Sequence, residues 1–158
     1  MSEEYGDKFA DPLVEEYKLY VKMADSVSNR RLQTNSFFVS VLSALFVFLS
    51  LIGERKTFGD IVNIAYIAIP ILGLILSYVW FLNIRSYRQL NFGKFKVIHQ
   101  IEQQLPFPCY AREWEIIGKG EEARKYLQLT HVEQYIPLLL AILFLLVLAY
   151  MVYPFIAG

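Results

Sequence analysis

The chain has 158 residues, of which 56% are apolar and 19% are charged, and its formal net charge at pH 7 is zero. The charged residues avoid three long apolar runs, and soluble domains of this length seldom contain such runs. Because about 20 apolar residues suffice to cross a bilayer, this composition excludes an ordinary soluble domain and predicts an all-α integral membrane protein. We expect a single domain with three transmembrane helices and a helical cytoplasmic part. The predicted segments are a cytoplasmic N-terminal helix at 1–31, transmembrane helices at 32–53, 61–84 and 134–158, and a cytoplasmic helical segment at 85–133.

The first helix is predicted to begin at Asp11 and Pro12, because an acidic capping residue followed by proline is typical of a helix start. No glycine or proline follows until Gly53, so one long helix is expected over Asp11–Ile52. Its first half carries a heptad-like apolar seam. Such a seam indicates packing against another helix, in the same chain or in a second copy.

A stripe of seven positions, six of them polar, runs along this first helix. The 4-3 spacing places all seven on one helical face. They are Asn29, Gln33, Ser36, Ser40, Ser43, Val47 and Ser50. Small serines are compatible with close helix packing, and a polar face is also suited to lining a water-filled path between several copies of the chain. Because the stripe continues to Asn29, we favour pore lining.

Pore lining requires an oligomer, since three transmembrane helices cannot enclose a pore alone. The simplest assembly is a cyclic homo-oligomer, and a tetramer is favoured. Phe37 and Phe38, near the inner end of the stripe, are predicted to form a hydrophobic gate that closes by dewetting. In the expected two-state mechanism, binding at the cytoplasmic part biases the long helix, which narrows or widens the path.

The second apolar run is predicted to continue as an amphipathic helix to about Gln104, where the two prolines of 106–108 force a break. A short helix at 110–117 is expected next, ended by Gly118–Gly120. Within the second run, Gly73 and Ser77 have the small-residue spacing that permits close helix contact. Thr130 and Glu133 have capping-box spacing before the third run, which is almost entirely aliphatic and is predicted to face lipid.

Basic residues are distributed asymmetrically along the chain. All but two of the 15 Lys and Arg residues precede the first apolar run or lie between the second and the third. The positive-inside rule assigns these segments to the cytoplasm. We therefore predict a multi-pass protein of the cell membrane, with its N-terminus cytoplasmic and its C-terminus outside.

Six of these basic residues lie close to the predicted inner membrane face. They are interpreted as topology signals and lipid-phosphate contacts or, alternatively, as a binding surface for an anionic ligand such as a nucleotide or oligonucleotide. The six residues are Arg30, Arg31, Arg85, Arg88, Lys94 and Lys96.

No catalytic constellation is recognisable in the sequence. His99 and His131 lie far apart with no nearby cysteine, and no ionisable residue lies within the apolar runs. We expect no enzyme activity, no metal site and no cofactor. The alternative to a pore is a non-conducting membrane anchor or scaffold that docks a soluble partner. A lipid-modifying enzyme would need an ionisable cluster at the membrane face that the sequence lacks.

A pattern that follows the second apolar run resembles small bacterial membrane proteins of defence loci. It consists of Arg85-Ser-Tyr-Arg-Gln-Leu-Asn91, Lys94-Phe-Lys-Val-Ile98, Ile101-Glu102, Leu105-Pro106, Tyr110, Glu113-Trp114 and Thr130-His131 with Glu133. Over about residues 30–140, the chain is similar to SLATT-like membrane effectors and to the membrane channel subunit of the Hailong anti-phage system. The third transmembrane helix is an addition to the two-span SLATT plan.

This resemblance implies an oligomeric pore of the bacterial inner membrane that acts in anti-phage defence. It also implies control at the cytoplasmic face by a nucleotide or oligonucleotide signal, made by a nucleotidyltransferase partner. The SLATT-like group has no shared catalytic residues to carry over to this sequence, and the sign of the ligand's effect, opening or closing, is left open.

Overall fold

The computed structural model describes residues 10–53, 59–120 and 132–157, and every regular element within these ranges is helical. In chain order the elements are α1 (Ala10–Gly53), α2 (Gly59–Glu102), α3 (Cys109–Ile116), a 3₁₀ turn (Gly118–Gly120) and α4 (Tyr135–Ala157). Three of the helices, α1, α2 and α4, are long and apolar enough to cross a membrane. The prediction of an all-α protein with three such helices is confirmed.

The helix boundaries follow the breaks that the sequence predicts. Helix α1 is continuous, α2 ends two residues before the expected Gln104, and α3 begins after Pro108. Gly118 and Lys119 end this segment with φ angles of 74° and 53°, in the left-handed region. The Thr130 end of the predicted capping box lies outside the described residues.

The chain divides into two compact units. Met1–Arg31 and Ser86–Leu129 form one, which we call the polar unit, and Leu32–Arg85 and Thr130–Gly158 form the other, which we call the membrane unit. Helices α1 and α2 each contribute one part to both units. The three apolar runs thus fall in one unit, and most of the charged residues fall in the other.

Aromatic rings build much of the core of the membrane unit. The ring of Phe38 stacks on that of Trp80 with centroids 5.8 Å apart, and Phe46 stacks on Phe144 at 4.2 Å. Trp80, Phe144 and Leu42 are fully buried. Parallel-displaced aromatic pairs add attraction beyond the burial of their area, so they tie α1 to α2 and α1 to α4.

Helix α4 is anchored by one aromatic side chain. Although most of its large side chains are exposed, Phe144 is fully buried and its ring lies directly against Gly73 of α2. Gly73 does permit close contact, as its spacing predicted, but it accommodates a ring rather than a second small residue. Phe144 is therefore an exception on a helix that is predicted to face lipid.

Candidate functional site

All seven positions of the stripe on α1 are exposed within the chain. The buried residues of the same helix in the membrane unit are Phe38, Leu42 and Leu49, and helical periodicity places them on the opposite side. Helices α2 and α4 pack against that buried side. Among the described helices, the serines therefore do not mediate packing, and their polar face is exposed to water, to lipid or to other copies.

Two serines of the stripe make hydrogen bonds to their own helix. Ser36 Oγ donates to the carbonyl oxygen of Leu32 at 3.0 Å, and Ser40 Oγ donates to that of Ser36 at 2.8 Å. Each hydroxyl proton is thereby satisfied, while the serine oxygen retains the capacity to accept from water. Water can therefore cover this face at a small cost in free energy.

The two phenylalanines of the predicted gate have different surroundings. Phe37 is 61% exposed and lies beside the stripe, whereas Phe38 is 6% exposed and stacks on Trp80. Their rings also contact each other, with centroids 5.5 Å apart. Since Phe38 lies on the core side of α1, it does not share the exposed face of the stripe. Of the two residues, only Phe37 lies next to the exposed stripe, and its role as a gate stays a prediction.

A hydrogen bond that the sequence did not predict joins α1 and α2 in the membrane unit. The indole Nε1 of Trp80 donates to Asn35 Oδ1 at 2.8 Å. A polar side chain in a membrane-spanning helix needs a partner, so an asparagine within an apolar run was a usable signal. Asn35 was missed because it lies off the stripe.

The predicted basic cluster is distributed over both units. Arg85 belongs to the membrane unit and the other five residues belong to the polar unit. Two of the lysines lie over aromatic rings: Lys94 Nζ is 5.8 Å from the ring centroid of Tyr20, and Lys96 Nζ is 4.6 Å from that of Phe92. Four of the six residues are exposed: Arg30, Arg85, Arg88 and Lys96. The anionic-ligand hypothesis for these residues stays a prediction.

A buried carboxylate joins three helices of the polar unit. Glu102, at the end of α2, is 1% exposed and accepts a hydrogen bond from the Tyr17 hydroxyl of α1 at 2.9 Å. It also accepts from the backbone N–H groups of Tyr110 and Ala111, at 2.7 and 3.0 Å. These N–H groups belong to the first turn of α3, where the helix lacks internal acceptors and favours negative charge. Glu102 therefore caps α3.

The two tyrosines that donate to this carboxylate also pack against each other, and Phe95 packs against one of them. The ring centroid of Tyr110 lies 6.5 Å from that of Tyr17 and 5.7 Å from that of Phe95. Burial, followed by the hydrogen bond to Glu102, raises the pKa of Tyr17 above its ordinary value. Burial, followed by the charge of Asp25, also raises the pKa of Tyr110. Both hydroxyls are protonated at neutral pH, so Tyr17 remains a donor.

The described residues contain no group of three or more His, Cys, Asp or Glu side chains that could hold a metal ion. His99 is within the described part of the chain and His131 is outside it. The single cysteine, Cys109, is exposed. The described residues thus form a wettable helix face in the membrane unit and, separately, a capped helix in the polar unit.

Comparison with known proteins identifies one family. The family described as "Octameric membrane protein family (8xMP)" matches residues 14–153, which is most of the chain. No curated protein and no solved structure matches the chain significantly.

Proposed function

We propose that eight copies of this chain, which belongs to the Octameric membrane protein family, form a closed ring around a membrane pore. The sequence favoured a tetramer, and the description of the family leads us to propose eight copies instead. The stripe of α1 lines the path in this proposal. No catalytic residue, metal or cofactor is required, and we propose that the protein is not an enzyme.

The observation that carries this proposal is the exposure of the whole stripe on the side of α1 that faces away from α2 and α4. A polar face turned towards lipid would be unfavourable over the length of a membrane-spanning helix. The exposed apolar residues of the other helices, such as Ile75, Leu139 and Leu146, are suited to lipid. The chain thus has one wettable side and one lipid-compatible side.

The number of copies determines what the pore would pass. Helices about 10 Å apart in a ring of eight have their axes about 13 Å from the centre. Subtracting a helix radius of about 5 Å leaves an opening of about 8 Å in radius. In a ring of four, the same arithmetic leaves only about 2 Å. An octamer therefore suits hydrated ions, and closing it requires large side chains such as the ring of Phe37.

The polar unit is proposed to be the part that controls the pore. Helix α1 is continuous from this unit into the stripe, so a change in its packing would be transmitted along the helix. A nucleotide or oligonucleotide from a nucleotidyltransferase partner, bound at the basic residues, is the proposed signal. This proposal follows the similarity to SLATT-like effectors and to the Hailong channel subunit, and it assigns the chain a role in anti-phage defence.

The proposed location is the bacterial inner membrane. The polar unit carries most of the positive charge outside the apolar runs. By the positive-inside rule, that unit and the N-terminus lie in the cytoplasm, and the end of α4 lies outside.

The proposal predicts that Ser40→Leu and Ser43→Leu each abolish conductance without preventing assembly. Leucine adds apolar volume to the lining and removes the hydroxyl oxygen that water contacts, which favours dewetting. Conductance is measured in planar bilayers, and the assembly is measured by the mass of the detergent-solubilised protein. The matched control is Ala149→Leu, at an exposed position on α4, and this variant should conduct normally.

Unchanged conductance in both serine variants would refute pore lining. If the unsubstituted protein instead failed to conduct at all while its mass remained that of an oligomer, the anchor or scaffold function would replace the pore. Substitutions of Arg85, Arg88 or Lys94 would then be expected to abolish the docking of a soluble partner.

A further inference from the structure

The polar unit exposes large apolar side chains that lie outside the three apolar runs. Leu19 and Met23 on α1 are 56% and 41% exposed, and Phe92 on α2 is 64% exposed. They lie among charged residues of the polar unit. Neighbouring exposed apolar groups, such as Leu19 and Met23 one helical turn apart, are candidates for a surface that another protein covers.

Helices α1 and α2 run antiparallel within this unit. Tyr17 contacts Glu102, and Tyr20, three residues further along α1, contacts Lys94, which precedes Glu102 on α2. We call a position that faces the other helix of the pair a core position. In an antiparallel pair, the residues immediately before core positions lie on one side of the pair. The residues immediately after core positions lie on the other side. This rule follows from the rotation of about 100° per residue.

The exposed apolar residues fall on opposite sides by this rule. Met23 precedes the buried Ala24, and Leu19 precedes the half-buried Tyr20. Phe92 instead follows Asn91, whose Oδ1 is buried. Leu19 and Met23 therefore form one side of the helix pair, and Phe92 belongs to the other. Two different faces on opposite sides are what a head-to-tail, ring-closing contact needs.

The two faces also lie at matching levels. Met23 is six residues beyond Tyr17 on α1, about 9 Å along the axis. Because the helices are antiparallel and Tyr17 is level with Glu102, Met23 is level with Lys96, one helical turn from Phe92. Rotation about the axis of a ring leaves the height of a given residue along that axis the same in every copy. In such a ring, Met23 of one copy and Phe92 of the next would lie about one helical turn apart in level.

We propose that Leu19 and Met23 of one copy pack against Phe92 of the adjacent copy all around the ring, with Lys96 at the edge of the contact. The inference rests on the proposed ring of eight copies. The occupant of each face is a second copy of this chain, since the family is described as octameric.

Cysteine cross-linking tests this contact. The background is Cys109→Ser, which removes the exposed native thiol. The variant Met23→Cys with Phe92→Cys is solubilised in detergent and treated with a short bismaleimide. We expect a ladder on denaturing gels that extends to eight subunits. Each single substitution alone should give no ladder, because a head-to-tail contact joins two different positions.

The matched control pair is Met23→Cys with Leu90→Cys. Leu90 is 49% exposed but precedes Asn91, so it lies on the same side as Met23 and should give no ladder. A ladder from this pair would overturn the assignment of the faces. An octameric mass without a ladder from the Met23–Phe92 pair would overturn the inference, and it would leave the proposed ring standing with phospholipid headgroups as the cover of Phe92. A monomeric mass of the Cys109→Ser background would overturn the ring itself.

Discussion

The Glu102→Gln substitution should cost the polar unit about 3 kcal/mol of stability. The carboxylate has 1% of its surface exposed and accepts three hydrogen bonds, so both of its oxygens are in use. Glutamine keeps one oxygen and replaces the other with an amide NH₂. That group would face a backbone N–H of α3, which leaves a buried donor without an acceptor. Hydrogen bonds to charged acceptors are also among the strongest in proteins.

The effect should be localised to the start of α3. Hydrogen–deuterium exchange followed by mass spectrometry would measure it, since the amides of Tyr110 and Ala111 lose the acceptor that protects them. Peptides covering 105–117 should exchange faster in Glu102→Gln, while peptides from α4 should be unchanged. Unaltered exchange at 105–117 would mean that Glu102 does not hold α3.

The matched control is Tyr17→Phe. It removes only the hydroxyl that donates to Glu102 and leaves both backbone N–H groups of α3 with their acceptor. We expect a loss of about 1–2 kcal/mol and little change in the exchange of Tyr110 and Ala111. The difference between the two variants separates the capping of α3 from the link between α1 and α2.

The helices of this fold were predictable because their signals are local. Runs of apolar residues, the prolines at 106 and 108 and the glycines at 118 and 120 each act within a few residues of their position. The observed ends of α2 and α3 lie within two residues of the predicted ones. Contacts between side chains of different helices depend on the tertiary structure, and the periodicity of a single helix does not predict them.

Three residues illustrate this limit. Glu102 belongs to an amphipathic face in the sequence, and only the position of α3 shows that it is a cap rather than a solvated charge. Phe38 follows Phe37 directly, so proximity in the sequence grouped them although a helix turns about 100° between them. Asn35 lies off the stripe, and its partner, Trp80, lies on another helix, so spacing within α1 does not reveal their hydrogen bond.

The stripe on α1 was readable from its spacing alone, because helical periodicity relates positions within one element. The structure adds that the whole stripe lies opposite to the core, which spacing cannot reveal. Whether water fills the space in front of it depends on the other copies. Pore lining consequently remains a prediction that only conductance can test.

Gly73→Ala should destabilise the membrane unit by about 1–3 kcal/mol, even though alanine is the better helix former. The added Cβ would lie 2.6 Å from three carbons of the Phe144 ring. This ring is fully buried and stacked on Phe46 at 4.2 Å, so it cannot move aside without breaking another contact. The thermal unfolding temperature of the solubilised protein measures the effect.

Gly93→Ala is the matched control on the same helix. A Cβ at position 93 meets nothing within 4 Å, so alanine contributes only its higher helix propensity, about 0.5–1 kcal/mol in favour of the folded state. The two substitutions are chemically identical and should shift the unfolding temperature in opposite directions. Equal shifts would mean that Phe144 does not press on Gly73.

Phe144→Leu replaces the ring with a smaller aliphatic side chain. This substitution should lower the unfolding temperature less in the Gly73→Ala background than alone, because residues in contact do not have additive effects.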